Sequence, residues 1–183
     1  MRFTLRDFRP EDAAAVNRVA LAAFGEFREH YADWDGAAEH LARAAELAGV
    51  GDVVVACAES RPETGLETVV EAVVGVVTYL GPQSRGTRSA TPEWAAIRML
   101  AVDPAYRGWG IGRALTEECL RRARRDGAAV VALHTSALMR VALPMYIRMG
   151  FELFYQVPPG RGEPYGVYTK WLEPGDQAGS PAG

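Results

Sequence analysis

The chain has 183 residues, 49% of them hydrophobic, with 20 basic residues against 23 acidic ones and a net charge of −3. That length and apolar fraction suit one globular domain that buries its own core, and the slight acidity argues against a nucleic-acid surface. No apolar run approaches the roughly 18 residues that span a bilayer, and the N-terminus lacks the regions of a signal peptide, so the expectation is a cytoplasmic protein with neither nucleic-acid nor membrane partners.

Residues 3–6 alternate as an edge-type strand. Pro10, followed by Glu11 and Asp12, opens a helix in the favoured manner, and Val16, Val19, Ala20, Ala23 and Phe27 then recur at helical spacing. A loop over residues 25–35, rich in aromatics and charge, leads to a second helix. Asp35 can cap that helix, Gly49 stops it, and Leu41, Ala44, Ala45 and Ala48 form its inner face. Residues 52–58 and 68–80 are β-branched and read as a hairpin joined by the turn-rich segment 61–65, and residues 94–102 give a fourth strand. Cys57 and Cys119 lie in apolar stretches without metal-ligand spacing, so both are expected as reduced core thiols and no metal site is expected.

The segment 100–115 is the most informative part of the chain. A strand end of Leu100, Ala101 and Val102 is followed by Pro104, Arg107, glycines at 108, 110 and 112, and an amphipathic helix opening near Ile111. The glycines let the main chain take positive φ and approach a ligand closely, so that successive N–H groups converge on oxyanions. The first helical turn adds its unpaired N–H groups and the positive end of its dipole. That order builds a phosphate cradle. It is not a P-loop, since no Lys-Ser/Thr pair follows the glycines, and as a dinucleotide fingerprint it fails because Arg113 stands where the last glycine belongs.

The helix buries Ile111, Leu115, Cys119 and Ala123 and ends at Gly127, while Arg121, Arg122, Arg124 and Arg125 read as a solvated face. Residues 129–134 form the next strand, and residues 138–149 a helix made imperfect by Pro144. Residues 151–157 and 165–172 close the fold as an antiparallel pair across the loop 158–164. Residues 173–183 read as a disordered tail, which leaves 1–172 as the domain. The order βααβββαβαββ describes an α/β fold, a mixed sheet of about seven strands with flanking helices and a parallel pair at the ligand cleft, around the glycine-loop helix.

Arg107, Gly110 and Gly112 occupy the fixed positions of Arg/Gln-x-x-Gly-x-Gly/Ala directly after a strand ending Leu-Ala-Val. Tyr146, Gly150 and Phe151 fit a second pattern, Φ-Tyr-x-x-x-Gly-Phe. With these motifs and this element order the chain resembles the GCN5-related N-acetyltransferase (GNAT) superfamily to about residue 172. The resemblance implies a GNAT-like fold that binds acetyl-CoA (coenzyme A) through Arg107, Gly108, Trp109, Gly110, Ile111, Gly112 and Arg113. It also implies a bulge that frees the backbone of Leu100, Ala101 and Val102 to pair with the pantetheine amides, with one N–H polarising the thioester carbonyl.

The implied reaction is transfer of an acetyl group to the amine of a small molecule or peptide by direct attack. In the family the tyrosine sits near the cofactor sulfur, and a phenol of pKa about 10 can protonate a thiolate of pKa about 8.5, so Tyr146 is the candidate general acid. Many members carry a glutamate where Ala96 stands here, and Glu93 has the opposite strand parity. His134 is therefore the candidate base, its ordinary pKa of about 6.5 suiting proton acceptance at neutral pH. Arg140, with Arg113, is a further candidate for the cofactor phosphates, and Met139 stands where relatives often carry asparagine.

The acceptor pocket is expected from Phe24, Phe27, Tyr31 and Trp34 together with the loops 81–92 and 158–165. The alternative reading is an acyl-CoA-binding sensor or a catalytically silent GNAT module; a nucleotide-binding oxidoreductase is disfavoured by the failed fingerprint. A homodimer is left open. Almost all basic residues are arginine, with Lys170 the one lysine, and alanine abounds, which points to a GC-rich bacterial genome.

Overall fold

The structure, a computed structural model, describes residues 1–60, 70–84, 93–157 and 165–173. The expected turn at 61–65, most of the loop 81–92, the loop 158–164 and all but the first residue of the tail lie outside the described residues. Strand β1 (Phe3–Asp7) leads through a 3-10 turn (Pro10–Asp12) into α1 (Ala13–Gly25), and α2 (Trp34–Leu41) is followed by a second 3-10 stretch, Ala44–Gly49. Then come β2 (Asp52–Ser60), β3 (Val70–Leu80), β4 (Ala95–Val102), α3 (Ile111–Arg125), β5 (Val130–Ser136), α4 (Ala142–Arg148), β6 (Glu152–Gln156) and β7 (Tyr165–Trp171). This is the expected order. The seven strands make one sheet ordered β1-β2-β3-β4-β5-β7-β6, in which β4 and β5 are the parallel pair and the other neighbours are antiparallel.

Alternation along β2 sends Val54, Ala56 and Ala58 to the layer of α3 and α4, and Val53, Val55 and Cys57 to the layer of α1. Both faces of the central strands are buried, which accounts for their nearly unbroken valine runs. Gly75 on β3 lies under the first turns of α3: a Cβ there would stand 2.9 Å from Ile111 Cγ2 and 3.2 Å from Leu115 Cδ1. The absent side chain lets the first turn of α3 sit directly on the sheet, which fixes where its N-terminus points.

Three local expectations are corrected. Asp33, not Asp35, caps α2, its carboxylate accepting from the Gly36 N–H at 3.0 Å. The second helix also breaks after Leu41, because Asn17 on α1 accepts the N–H of Ala45 at 2.9 Å and diverts the chain into a 3-10 path. Pro144 occupies the first turn of α4, where its missing N–H is not required, so that helix is short rather than imperfect. Among the described residues no helix is long and apolar enough to cross a membrane.

Candidate active site

The site begins with a defect in β4. Its pairing with β3 runs Val76 to Ala101 and then Thr78 to Arg98, so Val77 faces two residues, and Met99 takes the extra place at φ +51°. A non-glycine residue in that region is strained and persists only where its surroundings hold it. On the other side, parallel pairing with β5 stops at Ile97, opposite Leu133. Beyond that point β4 has lost its neighbour, so the main chain of Leu100, Ala101 and Val102 borders a gap instead of a strand.

The glycine loop lies at the end of this gap. Gly108 and Gly110 both sit at φ +80°, and the space where a Cβ would project from either is open. Gly110 is the N-cap of α3 and has no side chain to satisfy the first turn. The first intrahelical bond there runs from Ala114 N to Gly110 O, which leaves the N–H groups of Ile111, Gly112 and Arg113 without helical acceptors. The N–H groups of Gly108, Trp109 and Gly110 have no main-chain partner among the described residues. A diphosphate fits this donor set, since convergent N–H groups and a helix dipole supply what two adjacent anionic phosphates need.

Gap and loop open into one cleft of about 1180 Å³. Nine of the ten residues expected to hold the cofactor line it, and Trp109, 52% exposed, does not. The guanidinium of Arg107 turns to α1, donating to Glu26 at 2.6 Å and to the Ala23 carbonyl at 3.3 Å. Arg113 pairs with Glu117 at 2.7 Å. Arg124, Arg140 and Arg148 also line the cleft, and among the described residues none of the three forms an ion pair. Five arginines thus face two carboxylates, an excess of positive charge suited to a polyanion.

A second cavity of about 380 Å³ meets the cleft, and Phe24, Leu100, Met139 and Ala142 line both. Tyr146 and His134, expected from distant parts of the sequence, both line this second cavity. Tyr146 is buried, edge-on to Phe151 at 5.7 Å, and burial, with a smaller effect of Cys119, raises its pKa, so the phenol keeps its proton. His134 is exposed on β5, opposite Val167 of β7. Ala96 is in the wall, whereas Glu93 is exposed and lines neither cavity.

Of the aromatics expected around the acceptor, Phe24 and Tyr31 line the second cavity and Phe27 lines the cleft. Trp34 lines neither; it packs edge-on to Tyr31 at 5.5 Å, against the α1 side of the core. Sequence reasoning missed His40, Trp94, Phe154 and Tyr155, all in the second wall. The signal for the last two was three consecutive apolar residues, Leu153, Phe154 and Tyr155, on a strand exposed at every position. Among the described residues no cluster of three His, Cys, Asp or Glu is set to hold a metal ion.

The sequence profile of the acetyltransferase (GNAT) family matches residues 13–151. A mycothiol acetyltransferase from Rhodococcus erythropolis is 27% identical over 153 residues, which cover 83% of this chain and 47% of that protein. The chain therefore spans about half the length of that curated relative. In fold, it superposes on Ard1 from Thermoplasma volcanium with a TM-score of 0.67 at 21% identity, covering 95% of this chain and all of the other. It also superposes on a GNAT family acetyltransferase from Brucella melitensis, solved in complex with acetyl-CoA, with a TM-score of 0.61 at 22% identity, covering 94% and 90% of the two chains.

Proposed function

The chain belongs to the acetyltransferase (GNAT) family, and we propose that it transfers an acetyl group from acetyl-CoA to the amine of a small molecule or peptide by direct attack. One observation carries this reading: a cleft with a diphosphate cradle and an unpaired strand edge runs directly into a second cavity whose wall holds a protonated phenol. Acetyl-CoA, when bound, supplies an acetyl group activated as a thioester.

The loop N–H groups and those of Ile111, Gly112 and Arg113 hold the diphosphate, with Arg124, Arg140 and Arg148 drawing in the anion. The main chain of Leu100, Ala101 and Val102 aligns the pantetheine arm as an added strand, and one of its N–H groups polarises the acetyl carbonyl. His134 accepts a proton from the incoming amine, and Tyr146 gives one at its hydroxyl to the departing sulfur. Neither cysteine serves as a nucleophile: both are buried, and burial raises the pKa of each.

Ala96 gives a second reading some support, that of an acyl-CoA-binding sensor or silent module, because it puts a methyl group where many relatives carry a carboxylate. Free-thiol release from acetyl-CoA across a panel of amines separates the two. Turnover with any amine supports the enzyme; binding of coenzyme A without turnover supports the sensor. Absence of calorimetric heat with millimolar coenzyme A in folded protein overturns both. The reading extends to a bacterial cytoplasm, supported by two buried, unbridged thiols of the kind a reducing compartment keeps.

A further inference from the structure

We infer that the acceptor is a primary amine carried on a single aromatic body; this rests on the acetyltransferase reading of the same site. Transfer must occur where the cleft meets the second cavity, beside Met139 and Ala142. The amine therefore faces that junction, and the rest of the acceptor lies against the remaining wall.

That wall is rich in aromatics. Tyr31, from the segment between α1 and α2, and Tyr165, at the start of β7, both line it; burial first, and then the nearby Tyr165, pushes the Tyr31 phenol up to about 12. Trp94, Phe154 and Tyr155 line it too, joined by edge-to-face contacts with ring centres 5.2 and 5.7 Å apart. A planar ring against such a wall gains both apolar burial and ring–ring contact. The cavity's roughly 380 Å³ lies near the small end of ligand sites, which run from about 300 to 1,000 Å³, and so suits one ring rather than an extended chain.

The test uses the full chain with acetyl-CoA, following thiol release with 2-phenylethylamine, hexylamine, spermidine and a short peptide with a free N-terminus. The expected result is a kcat/KM for 2-phenylethylamine at least about tenfold above those of the other three. Phe154→Ala removes a side chain that is 57% exposed, so the fold is spared; the variant is expected to raise KM for 2-phenylethylamine several-fold with kcat and coenzyme A affinity little changed. Trp94→Ala should do the same. Preference for spermidine, hexylamine or the peptide, or an unchanged KM in both variants, overturns the aromatic acceptor and leaves the acetyltransferase reading standing. Coenzyme A binding with no turnover on any of the four amines overturns both.

Discussion

Arg107 and Glu26 tie the glycine loop to the end of α1: one guanidinium nitrogen lies 2.6 Å from the carboxylate and another donates to the carbonyl of Ala23 in the last turn of that helix. A cation at a helix C-terminus also meets the negative end of the dipole, so the pair holds the loop from the side opposite its free N–H groups. Arg107 would then act on the cofactor by fixing the backbone rather than by touching phosphate. Arg107→Gln and Glu26→Gln are each expected to weaken coenzyme A binding by about three- to tenfold, roughly 1 kcal/mol for a partly exposed pair. Together they should cost little more than either alone, a non-additivity that calorimetry on the four proteins measures. Tighter binding in Glu26→Gln would show instead that Glu26 competes with phosphate for the guanidinium.

Tyr146→Phe keeps the ring and its contact with Phe151 but removes the proton. Loss of a positioned proton donor typically lowers rate by about 10²–10⁴-fold. The expected outcome is a kcat reduced on that scale with the coenzyme A dissociation constant unchanged. Loss of both together would make the side chain a packing element.

Arg124, Arg140 and Arg148 have no ion pairs among the described residues, so their charge is available to an anionic ligand. Arg124→Gln with Arg148→Gln is expected to weaken coenzyme A binding by about tenfold at low salt and to flatten its dependence on ionic strength, since exposed charges act through a screened field. Titrations at two salt concentrations check both effects, and an unchanged salt slope would assign the arginines to solvent.

The strands and α3 were legible because their causes are local: valine-rich runs, glycine punctuation and an apolar stripe at helical spacing. The turn geometry of the glycine loop was legible for the same reason, since positive φ at Gly108 and Gly110 is a property of single residues. The capping of α2 was missed because Asp33 and Asp35 flank its first residue, Trp34, and only geometry decides which reaches the Gly36 N–H. The break after Leu41 depends on Asn17, far away in sequence. The bulge at Met99 has no periodicity signature and entered through the family resemblance. The second cavity was least legible, since Tyr31, Trp94 and Phe154 come from three separate segments that only the sheet order brings together.

Gly75→Ala tests how the sheet positions α3. The new methyl would come within 2.9 Å of Ile111 Cγ2, a β-branched group with little freedom to retreat, and 3.3 Å of Ala56 Cβ. Overpacking of this kind typically costs about 1–3 kcal/mol, and the strain is relieved most readily by lifting the first turn of α3. Both a lower Tm and weaker coenzyme A binding are expected, because the displaced turn carries the N–H groups of the cradle. A lower Tm with unchanged affinity would show that the helix end is held by the loop rather than by the sheet.

Asp12 links stability to pH. Its carboxylate is buried, accepts two hydrogen bonds from Arg6 at 2.7 and 2.9 Å, and accepts a third from the Arg9 N–H at 2.8 Å. The Arg6 hydrogen bonds, outweighing burial, hold its pKa below the usual 3.8. A group whose folded pKa is depressed binds fewer protons in the folded state than in the unfolded one. Its stabilisation is therefore complete above about pH 4–5 and is lost as pH falls through the folded value. Asp12→Asn removes the charge at every pH and leaves Arg6 facing a neutral amide, a loss on the order of 2–3 kcal/mol for charge-assisted bonds to a buried partner. Urea midpoints at pH 7 are expected to fall by that equivalent, and the gap between wild type and variant should narrow steadily below pH 4 as wild type protonates. A gap that stays constant down to pH 2 would show that the hydrogen bonds, and not the ionised carboxylate, hold the N-terminus of α1 against β1.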